Sequence, residues 1–337
     1  MPIYMDTSLL LLAIEDELKK SVQKTGGPGL DELRRMIAYH MGWEGEGAGA
    51  TAQGKRIRPL LVLLSATAAG GDWQAALPAA AAVELLHNFS LIHDDIEDNS
   101  PLRRGRPTVW RKWGIAQAIN TGDTLYALSH LTLSRLAETA SAGIALQAAR
   151  LFYQACLHLT QGQYLDLAYQ SRSNLRVEDY WPMIGGKTAA LLEACTSLGA
   201  LAAGAHEAEL QAYGEFGRLL GLAFQVQDDL LGIWGDAFLI GKSTESDLVE
   251  GKKSLPVLYG LEKGSAFAKR WRGGPVSPEE APALADLLED EGARLYTEQA
   301  ADRLTRQAMQ ALEDANPQKE GGEALRGLAQ TLLNREK

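Results

Sequence analysis

The chain has 337 residues, 46% of them hydrophobic, and a formal net charge of −10. That length suits one large domain or two small ones, and the apolar share is enough for a sizeable core. The acidic balance argues against a broad nucleic-acid surface and restricts any anion binding to local basic pockets.

The opening MPIYMDTSLLLLAIEDELKK carries no basic leader, and acids interrupt its apolar patch early. It reads as an amphipathic first helix, striped by Leu9, Leu10, Ile14 and Leu18, not as a signal peptide. Apolar residues at helical spacing continue through 59–69, 75–96, 115–137, 142–168, 187–203 and 207–234, with no clear β alternation. Breaker-rich loops are expected at 44–54, 273–282 and 315–322, and Pro59, Pro101, Pro107, Pro182 and Pro256 sit where helices should begin or end. SPEE at 277–280 reads as a cap with Pro278 in the first helical position. Cys156 and Cys195 lie in Ala/Leu-rich surroundings and read as buried, reduced thiols. No run of 18 apolar residues appears, so no membrane span is expected and the cytoplasm is the default location. The fold expected is all-α, about ten or more helices forming a single domain over 1–337.

Two acidic clusters close apolar helical stripes. In LLHNFSLIHDDIED, Asp94, Asp95 and Asp98 fall at i, i+3 and i+4 spacings on one helix end, where like charges repel and also face the unfavourable end of the helix dipole. Mg2+ relieves both, since it takes one or two carboxylates together with waters and substrate phosphates. In LGLAFQVQDDLLGIWGD, Asp228 and Asp229 sit inside an apolar stripe with Gln225 just upstream, a costly placement unless compensated. Two facing helices bearing such acids would grip two or three Mg2+ ions. For each cluster the bland alternative is a solvated acidic surface.

Basic groups surround these acids along the chain. GKRIRP supplies Lys55, Arg56 and Arg58, and PLRRGRP supplies Arg103, Arg104 and Arg106. GGKTAALLEA reads as a helix opening with Lys187 and Thr188, and GKSTESDLVEGKKSLP adds Lys242, Lys252 and Lys253. His87 lies two turns before Asp94 and is assigned to phosphate contact with Lys55 and Arg58; His93 receives no role. Arg suits bidentate phosphate contacts and Lys a mobile charge. Acids for Mg2+ together with separate basic sets point to phosphorylated substrates. The chain has no G-x-x-x-x-G-K-[ST], G-x-S-x-G or H-E-x-x-H, which argues against a P-loop NTPase, a serine hydrolase and a zincin.

In order, GKRIRP, HNFSLIHDDIED, LRRGRPT, GQYLDL, GGKTAALL, FQVQDDLLGIWGD and GKS…DL…GKKSLP resemble the trans-isoprenyl diphosphate synthases, or polyprenyl synthetases, over most of the chain. The resemblance implies antiparallel helices around a deep cavity, usually in a homodimer. It implies that Asp94, Asp95, Asp98, Asp228 and Asp229 bind Mg2+, three ions per site. Lys55, Arg58, His87 and Arg104 would hold isopentenyl diphosphate. Arg103, Lys187, Thr188, Gln225, Lys242 and Lys252 would hold the allylic diphosphate, with Lys187 also counted as catalytic. Gln163 and Asp166 of GQYLDL would support the cavity. The chain departs from the family pattern at Gly232, where a third acid is usual, so Asp236 or water is expected to substitute. Thr244 and Ser254 are lesser departures.

The implied reaction is head-to-tail prenyl transfer, extending an allylic diphosphate by five carbons. Phe89, five residues before Asp94, lies about 7.5 Å down the helix and would stop the growing tail, with Ser90 beside it leaving room. That pattern resembles synthases of C20 geranylgeranyl diphosphate, with C15 and longer products as alternatives. A class I terpene cyclase is disfavoured because GKRIRP would serve no purpose there. A catalytically silent subunit of a heteromeric synthase has only Gly232 in its favour.

Overall fold

The computed structural model describes residues 7–235 and 246–333; Asp236, Lys242 and Thr244 lie outside them. Contacts divide the chain into two compact units. Unit 1 comprises Met1–Tyr153, Cys195–Leu210 and Pro317–Ala324, and unit 2 comprises Gln154–Ala194, Gln211–Asn316 and Leu325–Lys337.

Unit 1 is built on α1 (Thr7–Gln23), α2 (Asp31–His40), α3 (Ile57–Ala68), α4 (Leu77–Glu97) and α5 (Ile115–Ser134). Leu10, Ile14 and Leu18 of α1 are buried as their stripe requires, but Leu9 is 57% exposed and lies off that face. The Asp72 side chain accepts from the Gln74 N–H at 2.9 Å, capping a short turn that leads into α4. Pro78 then fits the first turn of α4, where its missing N–H costs nothing. Ala79 to Ala82 are fully buried, so α4 is enclosed on every side at this level, and α4 with α5 makes the most extensive helix pair of the unit. Leu85 and Leu86 are likewise fully buried, contributing about 1.5–3 kcal/mol each. The run Trp73–Glu97 is long and apolar enough to cross a bilayer by length and composition alone, but 67% of that window is buried, as in a core helix.

A two-residue hairpin follows α4. Leu102–Arg103 (β1) pairs antiparallel with Arg106–Pro107 (β2), in register Leu102 to Pro107 and Arg103 to Arg106. The connecting residues Arg104 and Gly105 have φ of 52° and 74°. Two successive positive φ angles make a mirror-image turn, whose twist matches that of paired strands.

Unit 2 takes α6 (Ala142–Gln170) from Gln154 onward, α7 (Val177–Ile184), the start of α8 (Ala190–Ala202), most of α9 (Glu207–Trp234), and α10 (Leu255–Lys263), α11 (Ala281–Asp290) and α12 (Ala293–Asp314). Its core gathers Ile233, Leu248, Val257, Phe267, Leu284 and Leu288. Asp179 reaches back to the Arg176 N–H at 2.9 Å and fixes the start of α7. GGKTA does not open a helix. Gly185–Ala189 is a π-helical turn joining α7 to α8, so its N–H groups are not those of a free helix end. A Cβ at Gly186 would lie 2.6 Å from the His158 carbonyl oxygen, and one at Gly162 would lie 2.0 Å from the Lys187 nitrogen. Backbone meets backbone here, and the widened turn accommodates that contact next to Pro182. Helix α11 begins at Ala281, a turn later than SPEE suggested; Ser277 and Glu280 instead close a turn before it. Both cysteines are free and buried, and burial pushes each thiol up to about 12.

Candidate active site

In unit 1 the basic residues of GKRIRP separate into different tasks. Arg56 is buried: Nε donates to Glu15 at 2.6 Å, one terminal N–H donates to Glu84 at 2.8 Å, and another to the Met41 carbonyl at 3.2 Å. Burial opposes its charge, but Glu84 and Glu15 outweigh it and raise the guanidinium's pKa. Arg56 also sits at φ 49° as it enters α3, which makes it a structural clasp. Arg58, two residues on, contacts Nε2 of His87 at 3.2 Å. An arginine only donates, so Nε2 of His87 accepts and its proton resides on Nδ1. Burial, then Arg58, Arg104 and Arg103, push His87 well below its usual range and keep it neutral. Lys55 is exposed.

The hairpin brings two more arginines to the same unit. Arg104 donates to the Ala52 carbonyl at 2.7 Å. Its guanidinium lies where a side chain on Gly54 would be: a Cβ there would be 2.6 Å from it, and Gly54 itself has φ +80°. Burial lowers the pKa of Arg104 and Arg58 alike. Arg106 lies 4.0 Å over the Tyr39 ring and donates to three backbone carbonyls, so it anchors the hairpin.

The first acidic turn closes α4. Asp94 is half-buried, Asp98 is exposed and caps the helix, and Asp95 is 2% exposed. Arg103 approaches Oδ1 of Asp95 at 2.8 Å through both Nε and a terminal nitrogen. Burial pushes the Asp95 acid up to about 6, against the pull of Arg103. Its Oδ2 is buried without a hydrogen-bond partner among the described residues. A hard cation suits that oxygen, so this donor set fits Mg2+. Among the described residues no three acidic, His or Cys side chains close on an ion by themselves, as expected where phosphate oxygens complete the shell.

Unit 2 centres on Asp229, 1% exposed. Tyr180 donates to it at 2.7 Å, the Gln225 amide at 3.0 Å and the Leu255 N–H at 3.0 Å, with Lys252 Nζ at 3.7 Å. Thr188 in turn donates to Gln225 at 2.8 Å. Burial raises the Asp229 pKa, and Lys252 and the three hydrogen bonds offset part of that. Lys252 also meets Asp247 at 3.2 Å. Burial works against its charge, but Asp229, Asp247 and Asp228 outweigh it and hold the ammonium protonated. Asp228, half-buried, lies on the same turn of α9. Lys187 donates to Asp166, which gives GQYLDL a physical role.

Gly232 has a neighbour that the sequence reading did not weigh. A Cβ there would lie 2.5 Å from the Asp247 carboxylate, so the space next to the second motif is filled by an acid from another segment. Burial pushes Asp247 up to about 6, opposed by Lys252. Asp247 belongs to the SDL of GKSTESDL, and its spacing before GKKSLP was the only signal of it. Tyr180 and the Leu255 N–H carried no signal, because they reach Asp229 from 49 and 26 positions away.

Residues 48–273 match the polyprenyl synthetase family. The chain belongs to the polyprenyl synthetase family. It is 39% identical over 307 residues to (2E,6E)-farnesyl diphosphate synthase of Mycobacterium tuberculosis, covering 88% of this chain and 84% of that one. It is 40% identical over 295 residues to geranylgeranyl diphosphate synthase of the same species, covering 85% and 83%. Geranylgeranyl pyrophosphate synthase from Corynebacterium glutamicum, solved with isoprenyl diphosphate and magnesium, superposes with a TM-score of 0.85 at 27% identity, covering 98% and 100%. This polyprenyl synthetase is therefore a prenyltransferase with the all-α fold of its relatives.

Proposed function

We propose that this polyprenyl synthetase condenses isopentenyl diphosphate head-to-tail with an allylic diphosphate of five to fifteen carbons, using Mg2+, and releases mainly the C20 product, geranylgeranyl diphosphate. The observation that carries the reading is the composition of α4. One helix bears a neutral His87 backed by Arg58, then Phe89, then the acid turn whose buried Asp95 is clasped by Arg103.

In this reading Lys55, Arg58, His87 and Arg104 hold isopentenyl diphosphate. His87 offers the Nδ1 proton to a phosphate oxygen, because Nε2 is engaged by Arg58. Asp94, Asp95 and Asp98 in unit 1 and Asp228 and Asp229 in unit 2 would hold Mg2+, three ions in all, which when bound would offset the charge growing on the departing diphosphate. Asp229 holds Tyr180, Gln225 and Lys252 in place, and Asp247 stands in for the third acid missing at Gly232. Asp247 so placed supports retained activity over a silent subunit. Lys187, Thr188, Gln225, Lys252 and Arg103, with Lys242 outside the described residues, receive the allylic diphosphate. The allylic C–O bond breaks, and its electron pair leaves with pyrophosphate. The terminal alkene carbon of isopentenyl diphosphate attacks the allylic cation, which moves the positive charge to the neighbouring tertiary carbon. That cation loses a proton to pyrophosphate from the carbon on its diphosphate side, and the new double bond forms there. Apolar walls around the reacting carbons would exclude the water that traps such a cation.

The farnesyl and geranylgeranyl relatives stand at almost equal identity, so the C20 assignment rests on Phe89 as the floor, with Ser90 beside it leaving room. A homodimer in the cytoplasm completes the reading. Ile115, Ile119 and Tyr126 of α5 form an exposed apolar row suited to burial against a second copy. The test is incubation with Mg2+, isopentenyl diphosphate and each of the C5, C10 and C15 allylic diphosphates, with products sized by mass spectrometry. C20 as the main product is expected; no product with any primer overturns the proposal.

A further inference from the structure

His93 has no part in the site described so far, yet its ring occupies a singular place in unit 1. A Cβ on Gly122 would lie 2.4 Å from both Cδ2 and Nε2 of His93. Helices α4 and α5 thus meet at this level through an imidazole laid directly on a glycine. Nε2 of His93 is 3.6 Å from Oδ1 of Asp123 and has no hydrogen-bond partner among the described residues. Packing therefore fixes the ring.

What the ring packs on is Phe89. The two centroids are 4.7 Å apart with planes inclined at 59°. Phe89 also meets Tyr126, at 5.0 Å and 54°. Phe89 and His93 are one turn apart on α4, and Gly122 and Tyr126 are one turn apart on α5, so the four residues close a compact set between two helices. Phe89 itself would come only within 3.6 Å of a Cβ at position 122. It reaches that glycine in ordinary contact, whereas His93 fills the gap outright.

We infer that His93 is a positioning residue for product length: seated on Gly122, it holds the Phe89 ring in the orientation that ends chain growth. This rests on Phe89 being the floor of the tail pocket. A floor made of one phenyl ring works only if the ring cannot swing aside when an extending prenyl chain presses on it. Tyr126 restrains Phe89 from α5, and His93 restrains it from its own helix. Gly122 is required because any side chain there would lift His93 from its seat.

Product-length profiles of the full chain test this, with isopentenyl diphosphate in excess and one allylic primer. The ratio of products is read, so a change in total rate next to Asp94 does not enter. His93→Ala is expected to move the main product longer by at least one C5 unit. His93→Phe, which keeps an aromatic face against Phe89, is expected to retain the wild-type length. His93→Asn keeps polarity but loses the ring; it should also lengthen the product, and it serves if His93→Ala does not fold. Phe89→Ala should lengthen the product as well, and adding His93→Ala to it should change nothing more. If Phe89→Ala lengthens the product while His93→Ala and His93→Asn give the wild-type profile, His93 has no such role. If Phe89→Ala itself leaves the profile unchanged, the floor reading falls first.

Discussion

Arg56 and Arg58 are two residues apart in GKRIRP and chemically identical, yet they should respond to removal in opposite ways. The Arg56 side chain is 2% exposed, and its partners Glu84 and Glu15 are 4% and 17% exposed. Arg56→Leu leaves Glu84 charged and buried without its partner, and breaking such a pair costs about 3–5 kcal/mol. Arg58 has no carboxylate ion pair among the described residues; burial works against its charge and lowers its pKa. Arg58→Leu should therefore leave stability unchanged or slightly improved while impairing turnover, as expected when a strained group is kept for function. The measurement is urea unfolding of both variants, followed by hydrogen exchange across α4 so that opening of unit 1 is read directly. Arg56→Leu should exchange faster by the factor that 3–5 kcal/mol implies, roughly 10²–10³ or more. The double variant Arg56→Leu/Glu84→Leu should be less damaged than the sum of its singles, because no charge is stranded. Equal unfolding midpoints for Arg56→Leu and Arg58→Leu would refute the separation of roles.

Three further outcomes are expected. Tyr180→Phe removes a hydrogen bond to a buried carboxylate, worth about 1.5–3 kcal/mol; since that bond lowers the Asp229 pKa, its loss should move the acidic limb of the pH–rate profile to higher pH. Gly54→Ala places a Cβ against the Arg104 guanidinium at positive φ, and should raise KM for isopentenyl diphosphate roughly tenfold or more, about 1.4 kcal/mol, with little change for the allylic substrate. Asp95, raised to about 6 by burial, binds its proton more tightly folded than unfolded. Metal-free stability should therefore fall as pH rises from about 4 to 6, while calorimetric affinity for Mg2+–pyrophosphate should fall as pH drops through that window, by up to about tenfold per unit.

Much of this was legible from periodicity. The stripes at 75–96, 142–168 and 207–234 foretold α4, α6 and α9 to within two residues at each end, because long apolar helices leave strong patterns. The hairpin at 102–107 was not legible. Its strands are two residues long, and its turn uses Arg-Gly where Asn-Gly would have announced it. The acids and bases were visible by type, but their tasks were not. Nothing local distinguishes Arg56 from Arg58, since what separates them is Glu15 and Glu84, reached only on folding. Nor does Q-x-x-D-D show that Asp229 is ringed by donors from Tyr180 and Leu255, or that Asp247 fills the gap left by Gly232.

The contact between Gly162 and the turn at Gly186–Lys187 has a consequence for how this chain tolerates change. With 2.0 Å from a Cβ at 162 to the Lys187 nitrogen and 2.6 Å from one at 186 to the His158 oxygen, even alanine has nowhere to go. In a saturation library, positions 162 and 186 would stand as near-empty columns under any selection that requires folded protein. Position 187, next to the second of them, would empty only when survival depends on turnover.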